Sequence, residues 1–422
     1  MSSTSHPAML RPNSRVRRSA YSFFHINDGS FLDLRSMLEG RVRTKRISQV
    51  CAISIVKGTE TIISIKDLRL LFEVPSDRWI RVSKLLCAPG ASLSRIISLT
   101  KAGLLISDES GAELSQMLRR DEVLLNEGWN IYAALYHFMT RWENVSLGLS
   151  APSKQHAGEQ VDEIESDKLI TSLTRRYGDP PPHFYSPASI LSAYELPLVR
   201  RNGQLYDILM ERMTKRAFDS DTPMTLQQLG VILYYVYGCN GYAPIAKQFI
   251  GLKKTSPSGG GLHPTEVYPL VMNVEHLHPG VYHYNVRDHS LELLRRVSRG
   301  KALKMADEFT AGQGFPMDAA ALFVMTTRFY RNYWKYRMHR KAYSVLLMDA
   351  AHLSQTFYLV CAELGLGAFV TAAINHVNIE RALNLDGFRE GAIAICGSGV
   401  RALRQNEIDP EFIPYLPRQT RC

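Results

Sequence analysis

The chain has 422 residues, 45% hydrophobic and 21% charged, with a net charge of +10. At roughly 100–200 residues per domain this predicts two or three globular domains, and the ordinary composition excludes collagenous, mucin-like and wholly disordered chains. No run reaches the ~20 consecutive apolar residues of a membrane span, no apolar segment follows the basic N-terminus as in a secretory signal, and the six scattered cysteines (Cys51, Cys87, Cys239, Cys361, Cys396, Cys422) form no C-x-x-C pair, so reduced thiols and a cytoplasmic location are expected, with neither a disulfide frame nor a zinc site.

The charge is uneven. Residues 1–50 carry nine Lys/Arg against three acids, and residues 328–341 carry six with none. Such patches attract anions: nucleic acid, acidic peptide or a phosphorylated cofactor. In chain order, residues 1–20, rich in Ser, Pro and Arg, read as a disordered basic tail. Residues 21–150 read as a small domain. Its β-branched stretch from Gln49 to Leu70 predicts short strands. Trp79–Leu86, a Pro89-Gly90 break, Ser92–Leu99 and the apolar Leu104–Ile106 then give the outline of a winged helix, a possible peptide-binding module. Residues 151–196, with Asp179-Pro180-Pro181-Pro182, read as a linker.

From 197 onward the chain reads as one α/β domain. Leu205–Arg216 and Thr225–Tyr237 have helical spacing, the latter stopped by Gly238. Val281–Tyr284 and Leu291–Leu294 predict a hairpin. Leu346, Ala350, Leu353, Phe357, Val360 and Leu364 predict one long helix ended by Gly365, central or at a subunit interface. Ala368–Thr371 and Ala392–Ile395 predict buried strands.

The chain has neither G-x-G-x-x-G nor G-x-x-x-x-G-K-[ST], and neither H-E-x-x-H nor G-x-S-x-G, so no dinucleotide fold, P-loop, zincin or hydrolase elbow is indicated. The run Pro257-Ser258-Gly259-Gly260-Gly261-Leu262-His263-Pro264 stands out. Glycines allow close backbone approach to a ligand, Ser258 adds a hydroxyl, and the prolines fix the exit. Arg212 and Arg216 flank Thr214 on a helix face or its end, a combination suited to phosphate or a flavin's polar edge. Lys335 adjoins Tyr336 in the second basic patch. A cation ~4 Å from a phenol at an effective dielectric of ~20 contributes roughly 4 kcal/mol, enough to draw a tyrosine toward use as a base. The pair converges only if the backbone bends there; otherwise it belongs to an aromatic packing cluster. The histidines His276, His278, His283 and His289 straddle the hairpin, where alternate residues face opposite ways, so no metal is expected.

These motifs together resemble one family. Residues 200–404 are similar to the nitroreductase superfamily, and within it to the SagB/McbC-type dehydrogenases that mature ribosomal peptide natural products. Arg212-Met213-Thr214-Lys215-Arg216 resembles the R-x-S-x-R motif with Thr for Ser. Pro257 to Tyr268 resembles P-S-G-G-x-x-x-P-x-E-x-Y, Gly280–Tyr284 resembles G-x-Y-x-Y, and Lys335-Tyr336 matches the family's Lys-Tyr pair. The fold implied is α+β: a nitroreductase-like α/β domain at 197–422 behind a winged-helix-like domain. FMN is the implied cofactor, usually in a homodimer with flavin at the subunit interface. By the resemblance Arg212, Thr214, Arg216 and Arg401 hold its phosphate and pyrimidine edge. Pro257, Ser258, Gly259 and Gly260 wrap it, Gly365 and Gly367 offer backbone near the ring, and Lys335 and Tyr336 are catalytic.

The implied reaction oxidises a thiazoline or oxazoline to the azole, with a base taking the ring Cα proton as hydride leaves; Tyr336 is the expected base. A precursor peptide and the pathway's cyclodehydratase are the implied partners, with no membrane and no nucleic acid. Two other readings remain open: an NAD(P)H-dependent nitroreductase-like enzyme on small molecules, and a winged-helix DNA-binding regulator with a degenerate flavin fold, whose affinity would fall steeply with salt.

Overall fold

A computed structural model describes residues 10–32, 44–147, 166–184, 187, 189–194, 196–197, 201–402 and 409. The expected tail at 1–9, the linker at 151–165 and the expected end of the second domain at 410–422 lie outside these residues. The described chain divides into two compact units.

The first unit contains the described residues up to Arg141 together with Phe329–Tyr343. Its strands are β1 (Arg15–Arg18), β2 (Ser22–Leu32), β3 (Thr44–Ser54), β4 (Thr59–Ile63), β5 (Ile80–Arg81) and β6 (Leu105–Ser107). They form an antiparallel β2-β3-β4 sheet and a small β5-β1-β6 sheet. The described part of the expected disordered tail, residues 10–20, is therefore ordered. Val16 is fully buried in β1, and Arg17 pairs with buried Asp121 at 2.5 Å while its guanidinium lies over Trp79. Composition misled because Arg15 and Arg17 are neutralised by Asp108 and Asp121 from a distant part of the chain.

Within the expected strand region, Ile65–Glu73 is instead a helix. Ser64 and Asp67 close a reciprocal capping box, a local helix-start signal that outweighs β-branched content. Of the winged-helix outline the second helix, Leu93–Lys101, and β6 are present, whereas the expected first helix is β5 followed by a single turn, Val82–Leu85; the core there is Val82, Leu85, Ile96, Leu99 and Leu104. Residues 329–343, expected in the second domain, belong here for an aromatic reason. Fully buried Trp129 has Phe329 and Tyr333 rings at 4.5 and 5.0 Å, and Asn130 Nδ2 donates to the Met338 carbonyl.

The second unit holds Trp142–Arg328 and the described residues from Ser344 onward. Residues 142–147, expected in the first domain, are tied here by Asn375, which exchanges hydrogen bonds with the Val145 backbone in both directions at 2.9 Å. The stretch expected as linker contains a helix at Ser166–Tyr177. The strands are β7 (Gly241–Ala246), β8 (Phe249–Lys253), β9 (Thr265–Val271), β10 (Gly280–Asn285), β11 (Ser290–Arg296), β12 (Ala321–Arg328), β13 (Leu366–Thr371) and β14 (Glu390–Val400).

Six of these form an antiparallel sheet in the order β11-β10-β9-β12-β14-β13, and β7-β8 form a separate hairpin. Antiparallel pairing with flanking helices gives the α+β class. The expected hairpin is β10-β11. The expected long helix runs Ala342–Glu363, and its stripe Leu346, Ala350, Leu353 and Phe357 is buried. Among the described residues it is the one helix long and apolar enough to cross a membrane. Ala350, Leu353 and Phe357 pack into the core with Val267, Phe323 and Cys396, the burial of a core helix.

Candidate functional site

The helix expected over 205–216 ends early. It spans Gln204–Glu211, and Arg212 caps it with its N–H on the Ile208 carbonyl. Arg212, Thr214 and Arg216 therefore lie on the non-helical segment after the helix. Lys215 N donates to the Ala368 carbonyl at 2.8 Å, laying the segment against β13.

Tyr358 of the central helix organises the spot. Its hydroxyl lies 3.0 Å from Thr214 Oγ1 and accepts the Val370 N–H at 3.0 Å, and the Arg212 guanidinium sits 5.4 Å from its ring centre. The Arg216 guanidinium lies over Phe315, while its backbone N–H donates to the Asp409 carboxylate at 2.9 Å.

Gly365 leaves the central helix with φ +71°, the left-handed cap glycine favours. A Cβ at Gly367 would stand 2.9 Å from the Phe218 ring, so a side chain there would force the ring to shift. Arg401, bridged to Phe218 at the end of β14, donates from Nε to the Leu366 carbonyl at 3.0 Å. The fold thus brings Arg212, Thr214, Arg216, Gly367 and Arg401 together around Tyr358 and the start of β13. Among the described residues none of the three guanidiniums forms an ion pair with a carboxylate. Among the described residues these fork-like donors, beside a hydroxyl and a glycine backbone, suit an anionic group such as a phosphate.

The glycine loop is held elsewhere on the same helix. Ser258 Oγ donates to Asp349 Oδ2 at 2.6 Å, Gly259 N–H donates to Asp349 Oδ1 at 2.9 Å, and His263 N–H donates back to Ser258 Oγ. Ser256 Oγ meets Thr356 Oγ1 at 2.6 Å. A Cβ on Gly259 would overlap Val345, so only glycine lets the loop lie this close. Gly260 takes φ +65°. A small cavity behind the loop is lined by Tyr237, Lys254, Ser258, His263, Thr265 and Asp349. Lys254 Nζ donates to the Tyr237 carbonyl at 2.7 Å, and burial lowers its pKa.

At 100° per residue, Asp349 and Tyr358 project from opposite sides of the helix, roughly 13 Å apart along its axis. The two expected cofactor-binding motifs are thus separate in one chain. Sequence reasoning missed both organisers, Asp349 and Tyr358. The one available signal was an acid at 349 inside an otherwise apolar helix.

Lys335 and Tyr336 lie in the first unit, just after the short Phe329–Tyr333 helix. The backbone bends there: Tyr336 N–H donates to the Asn332 carbonyl, and Met338 takes φ +58°. The two side chains converge, but on the ring, with Lys335 Nζ 5.4 Å from the Tyr336 ring centre. Three of the hairpin histidines have separate partners: His283 meets Glu266 and Glu292, His289 the Tyr284 hydroxyl, and His278 Arg296.

The family model described as the nitroreductase family matches residues 209–400. The trifolitoxin-processing protein TfxB of Rhizobium leguminosarum is 36% identical over 146 residues, 34% of this chain and 38% of that protein. The match thus spans well under half of that relative's length. A protein of Methanocaldococcus jannaschii named as a nitroreductase is 29% identical over 185 residues, 43% of this chain and 85% of its own. Among solved structures, a chain of the Escherichia coli microcin synthetase McbBCD complex with truncated pro-MccB17 bound aligns with TM-score 0.46 and 17% identity, over 65% of this chain and 96% of that one. A nitroreductase structure from Ralstonia eutropha aligns with TM-score 0.37 and 22% identity, over 50% and 89%. The stretch that matches the nitroreductase-family model, residues 209–400, carries the antiparallel sheet, the central helix and both cofactor-type motifs.

Proposed function

We propose that this chain is an FMN-dependent dehydrogenase that oxidises azoline rings to azoles in a ribosomally made peptide. The observation that carries the reading is the Arg212–Thr214–Arg216–Arg401 cluster at the stretch that matches the nitroreductase family: a phosphate-type receptor beside the Gly367 backbone. The trifolitoxin-processing role of the rhizobial relative supports maturation of a gene-encoded product over reduction of a small molecule.

Bound FMN supplies the two-electron redox chemistry. Arg212, Arg216 and Arg401 neutralise its phosphate, and Thr214 hydrogen-bonds its polar edge. Tyr336 takes the ring Cα proton, with Lys335 holding its ring in place. A second copy of the chain completes the cofactor site, which accounts for two motifs on opposite faces of one helix. Leu347 and Met348, exposed on that helix, support a homodimer. The N-terminal unit grips the precursor peptide, a cyclodehydratase supplies the azoline, dioxygen accepts the electrons, and the setting is cytoplasmic.

The test is to purify the protein, identify any released cofactor by mass, and offer it an azoline peptide. FMN, together with a product lighter by two hydrogens, is expected. Protein that takes up no added FMN sinks the reading. FMN-bound protein that reduces nitro compounds with NAD(P)H and leaves azolines untouched favours the second reading, for which the methanogen relative is the support.

A further inference from the structure

We propose that His25, Cys51 and Glu60 form a binding site for a zinc-class transition metal on the N-terminal sheet. The strand register brings them together. His25 stands directly opposite Cys51 across β2 and β3, and Glu60 stands opposite Ile53 across β3 and β4. Cys51 and Ile53 are two residues apart on one strand, so they face the same side. The imidazole, thiol and carboxylate therefore share one sheet face.

Their ligand atoms all lie within 4.8 Å of one another, and His25 Nε2 is 3.1 Å from Glu60 Oε1. Zinc takes thiolate sulfur at about 2.3 Å and imidazole nitrogen or carboxylate oxygen at about 2.0–2.2 Å, tetrahedrally. That geometry needs only side-chain adjustment here. Cys51 is buried while His25 and Glu60 are exposed, so a metal would rest on the sulfur with its outer side open to water. Three protein ligands leave the fourth position to a solvent molecule.

A thiolate-imidazole-carboxylate set selects zinc-class metals over magnesium and calcium, which prefer all-oxygen ligands. Metal capture deprotonates the thiol and releases that proton to solvent. The three ligands come from three successive strands, so the metal would cross-link β2, β3 and β4. Because the ligands are remote in sequence, no spacing motif announces them.

The probe is Co²⁺, then Zn²⁺, titrated into the full chain. One equivalent should bind with a thiolate-to-cobalt charge-transfer band in the near ultraviolet, Zn²⁺ should displace it, and Zn²⁺ should raise the melting temperature. Cys51→Ser should abolish the band. His25→Ala and Glu60→Gln, both at exposed positions and so expected to fold, should each weaken binding at least about tenfold. Cys87→Ser, which removes an exposed thiol outside the group, should change nothing. A band that survives Cys51→Ser, affinity unmoved in both His25→Ala and Glu60→Gln, or no saturable binding in the wild type would overturn the proposal. Retained FMN content does not bear on it, so its failure is separable from that of the flavin reading.

Discussion

Asp349 accepts Ser258 Oγ at 2.6 Å through one carboxylate oxygen and the Gly259 N–H at 2.9 Å through the other. A carboxylate is buried in the central helix so that a glycine loop can be held against it. Asp349→Asn keeps the shape but turns one acceptor into a donor facing a donor. The expected loss is about 1.5–3 kcal/mol, the usual worth of a hydrogen bond to a charged group. Thermal denaturation should register that loss together with lower flavin content. An unchanged melting temperature would mean the loop is held by its other contacts.

The arginine cluster can be separated from the loop. Arg212→Ala and Arg401→Ala each remove a charge-assisted phosphate contact, so FMN affinity should fall by roughly 1.5–3 kcal/mol, about ten- to a hundredfold. Lys substitutions should restore only part of it, because an ammonium lacks the guanidinium fork. Titration of apoprotein with FMN, followed by flavin fluorescence, is the readout.

Tyr336→Phe removes one oxygen and little volume, so flavin content should persist while azole formation falls about 10²–10⁴-fold. Lys335→Ala should also slow turnover, and the double variant should be little worse than either single one if the pair acts as a unit. Single-turnover flavin reduction by an azoline peptide decides the matter. A normal rate in Tyr336→Phe would make the phenol a packing residue.

Leu347 and Met348 lie on the solvent side of a helix whose other side is core. If that stripe meets a second copy, Leu347→Glu with Met348→Glu should convert dimer to monomer and lower FMN occupancy with it. Light scattering against flavin absorbance measures both. Monomer with full FMN would contradict a shared site.

His283 provides a pH test on the sheet. Hydrogen bonding to Glu266, then to Glu292, raises its pKa despite burial, and Arg328 binds the other oxygen of Glu266 at 2.8 Å. A raised folded-state pKa makes the charged imidazole a stabilising group. Its contribution is fully present below the unfolded value near 6.5 and disappears as pH rises through the higher folded value. The stability gap between wild type and His283→Gln, measured by urea denaturation, should therefore narrow from about pH 6 upward. A gap that widens over that range would reverse the assignment.

Several features were legible in the sequence because their signals are local. The stripe along 346–364 and the hairpin at 281–294 are short-range patterns, and each is present; of the outline at 79–106 the second helix and the strand are present, whereas the expected first helix is a two-residue strand, Ile80–Arg81, followed by a single turn, Val82–Leu85. The glycine loop could be read because few other folds need three glycines between prolines. What only the tertiary structure decided depends on residues far apart in the chain. Arg17 is buried because Asp121 neutralises it, so a tail by composition is a strand by context. Residues 329–343 join the N-terminal unit because Trp129 packs against their aromatic rings. Arg212 leaves the helix at its first opportunity, and the segment lies along β13, where backbone bonding replaces the helical ladder. Asp349 and Tyr358 read as ordinary helix residues until folding brings the loop to one and the arginines to the other. Propensity and periodicity act over a few neighbours, whereas charge neutralisation, aromatic burial and strand register are set by whichever distant segment the fold brings alongside.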